Sequence, residues 1–531
     1  MVHFPNEIWL GVANYLKLPT DVCSYKNEAL SKDEKVTQQT LISLCLVSKQ
    51  FRAIFQPQLY YNFIKNKSST AQERLLSPES EWQHKYYQQD ERSFRAIRKQ
   101  TKLESFLITI IHRADLAAMV EHLRIGSYPD DVTLPRYLQK LYEEVPLHKA
   151  TSCMLVDALR SFKGFDRLRN HFRKSWEESL RDGGEGAEVA LLLTLLPNLL
   201  SLRLKPTTGS INFFVQELCN TILGPHPKSW TLIPIQGELC KHPSEVQLRS
   251  QQPPEILPVL ASLSIWSDGG FPVSMQDCRS LLSLPCLKTF RGRGLNVHRI
   301  SRQPRPGLIS LQHLQFIRCQ FTESGLPNLL ENCTRLRSLE VNTKFAFNPW
   351  FAGIVTIHTL QLAQTADTLE HLTLMMPEYD KAMHLDLRSF NRLRHLQVDM
   401  DFLSTSLGAL NMHEMLSMSM EKLIIRRAHA GIKPHLEKLL DTFTTTRQFL
   451  SLLVIKLYVL EDDYEELRAE LDDFNKRAQK LQLECKVKEE PNHNHSWWWY
   501  GNPESDSDLD SDQEDDSDGE NSVEDDSDGE D

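Results

Sequence analysis

Six serines near the C-terminus, Ser505, Ser507, Ser511, Ser517, Ser522 and Ser527, each have Asp or Glu three residues later. That spacing resembles the acceptor preference of acidophilic, casein-kinase-type kinases, and six phosphates would add roughly 9 to 12 negative charges. The chemistry expected here is done to the side chains rather than by them. Elsewhere the chain lacks linear signatures of catalysis: there is no glycine-rich phosphate loop with its Lys-Ser/Thr, no G-x-S-x-G turn, no H-E-x-x-H helix and no kinase signature set. No catalytic residue is therefore assigned, and a non-enzymatic role is expected. His493 and His495 stand beside Trp497-Trp498-Trp499-Tyr500. Two histidines without further ligands read as linker residues rather than a metal site, and the aromatic run reads as a segment that docks into an apolar groove. The ten cysteines include no C-x-x-C pair, so neither a disulfide nor a structural metal is expected, and no cofactor.

One further stretch has charge that could do work. Lys288 to Arg305 contains Lys288, Arg291, Arg293, Arg299, Arg302 and Arg305 and no acidic residue. It could engage an acidic substrate, nucleic acid or the chain's own tail. Without interleaved aromatics for base stacking, nucleic acid is not the expected partner, and the preferred reading is a solvated return segment.

Charge and composition bound the elements that hold these residues. From Gly501 to Asp531 there are 16 Asp and Glu and no Lys or Arg, leaving a body with 60 basic and 55 acidic groups. The tail is a separate electrostatic object, and with almost no apolar residues it is expected to be disordered. Its role is either modification or solubility. The chain has 40% hydrophobic and 25% charged residues, and no apolar run approaches the ~20 residues needed to span a bilayer. The N-terminus lacks a secretory pattern, so an intracellular location, cytoplasm or nucleus, is expected.

A length of 531 residues asks for more than one core unless the chain is a repeat array. The spacing L-x-x-L-x-L recurs at Val120/Leu123/Ile125, Leu199/Leu202/Leu204, Leu260/Leu263/Ile265, Leu287/Phe290, Leu311/Leu314/Phe316, Leu336/Leu339/Val341, Leu369/Leu372/Leu374, Leu393/Leu396/Val398, Met420/Leu423/Ile425 and Leu450/Leu453/Ile455. Alternation at the last two anchors buries one face of a short strand, and each following segment returns behind it. Thr322 to Cys333 illustrates the return, with Thr322 as candidate N-cap and Leu326, Leu329, Leu330 and Cys333 on one helical face. Only Cys319 occupies the turn position, three past the last anchor, where Asn or Cys would satisfy backbone groups, so the array is expected to be irregular. Helical insertions are read at 134–141, 154–162, 189–196 and 211–223, an irregular loop at 224–254, and a capping helix at 461–486.

At the N-terminus, Phe4 to Leu16 and Leu41 to Tyr60 read as two amphipathic helices. A polar, charged insertion, Lys26 to Thr37, lies between them as a loop. The Phe4-Pro5 start, Glu7-Ile8, Tyr15-Leu16 and the run Leu44 to Phe51 with Leu46-Val47-Ser48-Lys49 resemble the F-box, a helical module that binds the Skp adaptor of Skp-cullin-F-box ubiquitin ligases. Phe4 stands where the pattern usually has Leu. The whole chain resembles the F-box proteins with leucine-rich repeats.

That resemblance implies an α/β architecture: an F-box over 1–61, a helical or irregular connector over 62–101, and a leucine-rich-repeat solenoid over 102–490 with its parallel sheet on the concave face. A disordered acidic tail over 491–531 follows. It implies adaptor contacts at Phe4, Pro5, Ile8, Leu16, Leu44, Val47 and Phe51, some of which also form the module's core. The partners implied are the Skp adaptor, a cullin through it, and a protein substrate held by the repeats. The alternative is a non-ligase scaffold working through the concave face or the acidic tail.

Overall fold

The computed structural model describes residues 6–16, 32–65, 102–128, 149–206, 213–222, 256–267, 272–297, 306–322, 325–342, 362–375, 386–400, 412–446 and 451–490. The N-terminal helices are α1 (Asn6–Tyr15), α2 (Lys32–Val47) and α3 (Lys49–Tyr61). The expected single helix from Leu41 to Tyr60 is broken at Ser48. Its backbone is extended (φ −158°, ψ 164°), and its hydroxyl oxygen accepts the Phe51 N–H at 3.0 Å, capping α3. The expected loop from Lys26 to Thr37 is in part helix, since Lys32–Thr37 belong to α2. Its polar residues lie at the start of a helix whose apolar face begins only at Leu41.

α3 runs without a loop into β1 (Asn62–Lys65), the first strand of a parallel sheet. The connector expected over 62–101 therefore opens as sheet. A four-residue strand carries too little alternation to be legible alone, and its pairing with β2 (His122–Tyr128) defines it. Between them lie α4 (Lys102–His112) and α5 (Ala114–Ala117). Rings weld the junction: Phe63 stacks on Phe106 at 3.7 Å, and Tyr61 Oη lies 2.9 Å from His122 Nε2.

Three helices, α6 (Lys149–Ser161), α7 (Asn170–Asp182) and α8 (Glu185–Leu195), lead to β3 (Ser201–Pro206). α7 has no counterpart in the sequence reading, although Phe172, Trp176 and Leu180 recur every four residues and are buried. Trp176 Nε1 donates to the Ala187 carbonyl at 3.0 Å and ties α7 to α8. After α9 (Phe213–Ile222) the chain builds β4 (Ser262–Trp266), β5 (Val273–Ser274), β6 (Thr289–Arg293) and β7 (Leu295–Val297). α10 (Pro306–Ser310), β8 (His313–Ile317), β9 (Gln320–Phe321), α11 (Gly325–Leu330), β10 (Ser338–Asn342), β11 (His371–Met375) and β12 (His395–Asp399) follow. The last elements are α12 (Met412–Met415), β13 (Lys422–Ala428), α13 (Lys433–Thr446), β14 (Val454–Leu460), α14 (Glu461–Lys480) and β15 (Glu484–Glu490).

Twelve strands form one sheet in the order β1-β2-β3-β4-β6-β8-β10-β11-β12-β13-β14-β15, every pairing parallel. β5, β7 and β9 make a second, three-stranded ribbon. This arrangement is consistent with a leucine-rich-repeat-like solenoid. The anchors align strand by strand: Leu314, Leu339, Leu372, Leu396 and Leu423 share one row and Phe316, Val341, Leu374, Val398 and Ile425 the next, all buried. Behind them pack the return segments, with Leu326, Leu329, Leu330 and Cys333 in the same core.

Two positions correct the reading of the repeat. On β14, Ile455 and Leu457 pair with Leu423 and Ile425, so the anchors are Leu452/Ile455/Leu457, while Leu453 is 57% exposed. The apolar run LLVIKL permits both phases, and only the neighbouring strand selects one. On β6, Gly292 holds the second anchor row because the side chains of Leu295 and Phe316 fill the space a Cβ would need. Gly294 turns the chain with φ +63°, where a Cβ would meet the Ser267 carbonyl. Arg291 and Arg293 thus lie on a strand, not in a return segment. Arg299, Arg302 and Arg305 lie outside the described residues.

Backbone groups between coils are satisfied by two devices. Cys319 Sγ accepts the Leu295 N–H and donates to the Gly292 carbonyl, each at 3.4 Å, and burial pushes its thiol pKa up to about 12. Elsewhere a hydroxyl just before the first anchor donates to the carbonyl of the preceding coil's first anchor: Ser310 to Leu287 (2.8 Å), Thr368 to Leu336 (2.8 Å) and Ser419 to Leu393 (3.0 Å). These hydroxyls stand in for the missing Asn and Cys residues. The Thr322 hydroxyl donates to the Val297 carbonyl at 3.4 Å, another link between coils.

The helix expected at 461–486 ends at Lys480, and β15 follows as the edge strand. Cys485 and Val487 continue the two anchor rows from Ile455 and Leu457. Lys486, Lys488, Glu484 and Glu489 around them give this edge the charges that discourage further strand pairing. No helix among the described residues is long and apolar enough to cross a membrane.

Candidate functional site

The N-terminal module has a core of four buried residues, Ala13, Leu41, Cys45 and Phe55. Trp9, Leu16, Leu44, Phe51, Ile54 and Leu59 are partly buried against it. Trp9 and Phe51 rings meet at 4.7 Å, Phe51 and Phe55 at 5.6 Å, so one aromatic stack joins α1 to α3. Arg52 Nε donates to the Cys45 carbonyl at 3.4 Å and holds the end of α2 against α3. Burial raises the Cys45 thiol above its ordinary range, with Arg52 partly opposing.

Such a small core leaves many apolar side chains outside. Ile8, Leu10, Val12 and Tyr15 on α1 are exposed, as are Val36, Ile42, Leu46 and Val47 on α2; Tyr15 reaches 90%, Leu46 74% and Val47 67%. On α2, Val36, Gln39, Thr40, Ser43, Leu44 and Val47 line one shallow groove. Burying a single such side chain is worth about 1.5–3 kcal/mol, so this surface is built to gain by contact.

Of the seven adaptor-contact residues named from sequence, Ile8 and Val47 are exposed, while Leu16, Leu44 and Phe51 pack on the module's own core. Leu44 does both, since it also borders the groove. Phe4 and Pro5 lie outside the described residues, as do Ser505, Ser507, Ser511, Ser517, Ser522 and Ser527, His493, His495 and the aromatic run beside them. The sequence reading missed Leu10, Tyr15, Val36 and Ile42 as surface residues. Ile8 and Val12, on the four-residue steps of α1, are exposed as well, and Val36 shares the four-residue steps of Leu44, so spacing alone does not separate outward from inward residues here.

A second surface is the face of the long sheet opposite its core. Residues between the anchors point there. Toward the N-terminal end, the Arg203 guanidinium lies 3.1 Å from the Trp266 ring centroid and that of Arg293 5.6 Å. Mid-sheet, Gln315 Nε2 donates to Glu340 Oε2 at 2.5 Å, and burial raises the Glu340 carboxyl above its usual range. His371 and His395 rings meet at 4.4 Å; burial, then His371 and nearby cations, lower both His313 and His395. Arg426 Nη1 and Gln397 Nε2 both donate to Met375 Sδ at 3.2 Å. Among the described residues, no three His, Cys, Asp or Glu side chains are grouped to hold a metal ion.

This face is polar, whereas the exposed surface of the helical module is largely apolar. Compared with protein-family models and with curated proteins, the chain has no match in either.

Proposed function

We propose that the chain is the substrate-recognition subunit of a Skp-cullin-F-box ubiquitin ligase, a non-catalytic adaptor that acts inside the cell. The observation carrying this reading is the row of exposed apolar residues on α1 and α2, above all Leu46 and Val47, within the Leu46-Val47-Ser48-Lys49 run that resembles the F-box. A contiguous row of branched side chains turned outward on a short helical module marks a surface that gains free energy when a partner covers it. The Skp adaptor is that partner. The repeats, read as a leucine-rich-repeat solenoid with the polar sheet face concave, hold the protein substrate.

The direct passage of α3 into β1, with Tyr60 of α3 stacked on Phe106 and Tyr61 of α3 2.9 Å from His122, gives the reading mechanical content. Adaptor-bound helices and substrate-binding sheet form one continuous body, so a substrate is held at a fixed distance from a cullin-bound conjugating enzyme. The chain supplies proximity and orientation while the bond-making chemistry lies on other subunits. Co-expression with the Skp adaptor followed by size-exclusion chromatography tests this. Co-elution is expected; a folded chain that elutes alone leaves the scaffold reading in its place.

A further inference from the structure

The last three strands of the sheet carry a charge pattern that the adaptor reading does not use. By strand alternation the open face of β13, β14 and β15 carries Lys422, Arg426, Lys456, Lys486 and Lys488, against Glu484 and the terminal Glu490 of β15. Lys456 and Lys486 are register partners on adjacent strands, and Tyr458 pairs with Lys488. Lys486 Nζ lies 2.6 Å from Glu484 Oε1, yet both side chains are about half exposed. The neighbouring carboxylate on β12, Asp399, is buried.

The complement to the positive side lies in the same chain. The segment 501–531 holds 16 carboxylates and no Lys or Arg. Asp506, Asp508, Asp510 and Asp512 alternate with serines and one leucine. In an extended strand such alternation places all four carboxylates on one side, about 6.7 Å apart, which is also the repeat of Lys486 and Lys488 along β15. The tether reaches: the 15 residues from Pro491 to Ser505 extend up to ~50 Å, whereas three strands ~4.8 Å apart span about 10 Å.

We propose that the acidic C-terminal segment of this chain docks in cis across the open face of β13–β15, held by Lys422, Arg426, Lys456, Lys486 and Lys488. Each exposed ion pair is weak, but the tether keeps the segment at an effective concentration in the millimolar range, so several weak pairs suffice. The docked tail covers the part of the face nearest the C-terminus, and an acidic partner must displace it to bind there. Phosphates on Ser505, Ser507 and Ser511 add charge to the docked stretch and strengthen it.

The test is zero-length carbodiimide cross-linking of the full chain, prepared as a mixture of ¹⁵N-labelled and unlabelled protein and read by mass spectrometry. Lys163, just after α6, and Lys174, on α7, both exposed, serve as internal references. Expected are same-isotope links from Lys456, Lys486 or Lys488 to residues 504–531, at least ~10-fold above the references, and lost between about 0.05 and 0.5 M salt. The double substitution Lys456→Glu with Lys486→Glu removes the remaining links to Lys488. Links no more frequent than at Lys163 and Lys174 overturn the proposal, as do mixed-isotope links, which would place the tail on a second copy. None of these outcomes depends on whether the adaptor binds.

Discussion

Leu46 and Leu396 have the same side chain and opposite surroundings. Leu396 lies on β12 with its anchor row above and below it and is buried; Leu46 lies on α2 and is 74% exposed. In the sheet each coil supplies a neighbour for the next, so an apolar residue at an anchor position always finds cover. The three-helix module has no repeating neighbour, and its four-residue core covers only one side of each helix. Among the described residues, Leu46 and Val47 on its outer side have no such cover. Apolar content therefore means stability in one region and association in the other.

This contrast is open to attack first in the array. Phe316, buried against Phe290 and Phe321, is expected to cost about 3–5 kcal/mol as Phe316→Ala, read from urea unfolding of the full chain. A loss below 1 kcal/mol would mean that the rows do not form one tight core. A finer test compares two neighbours on β14 and its approach. Ile455→Ala should cost about 2–5 kcal/mol and Leu453→Ala less than about 0.5, because only Ile455 faces inward. The reverse order would restore the phase read from sequence.

At the hinge of the module, Ser48→Ala removes the cap of α3 and should cost about 0.5–2 kcal/mol, seen as faster amide exchange at Phe51 and its neighbours. The smallest effect is expected at the exposed row. Leu46→Ser should change the unfolding free energy by no more than about 0.5 kcal/mol, since no described residue covers it and it is 74% exposed. A large loss would place Leu46 in the core and erase the contrast.

The regions also differ in how much of them could be read in advance. Anchor rows at Leu263/Ile265, Leu339/Val341 or Leu396/Val398 were legible because a period of two with polar residues between leaves one solution. At β14 the uninterrupted apolar run from Leu452 to Ile455 allows two, and pairing with β13 decides. β1 and β15 escaped notice because a strand of four residues, or one whose alternate residues are Lys and Glu, acquires meaning only beside its partner. In the module the helices were legible but the break at Ser48 was not: Leu44, Cys45, Phe51 and Phe55 keep helical spacing across it. Which of its apolar residues face outward depends on how α1, α2 and α3 pack, and periodicity alone does not carry that.

The most direct measurement is the affinity of the full chain for the Skp adaptor by titration calorimetry, wild type beside Val47→Asp. Val47 is 67% exposed at the end of α2 and borders its groove. The account predicts binding weakened by at least ~30-fold, the loss of one buried anchor, with the thermal midpoint of the free chain unchanged. Equal affinity of the two chains, or no binding by a folded wild type, would contradict it.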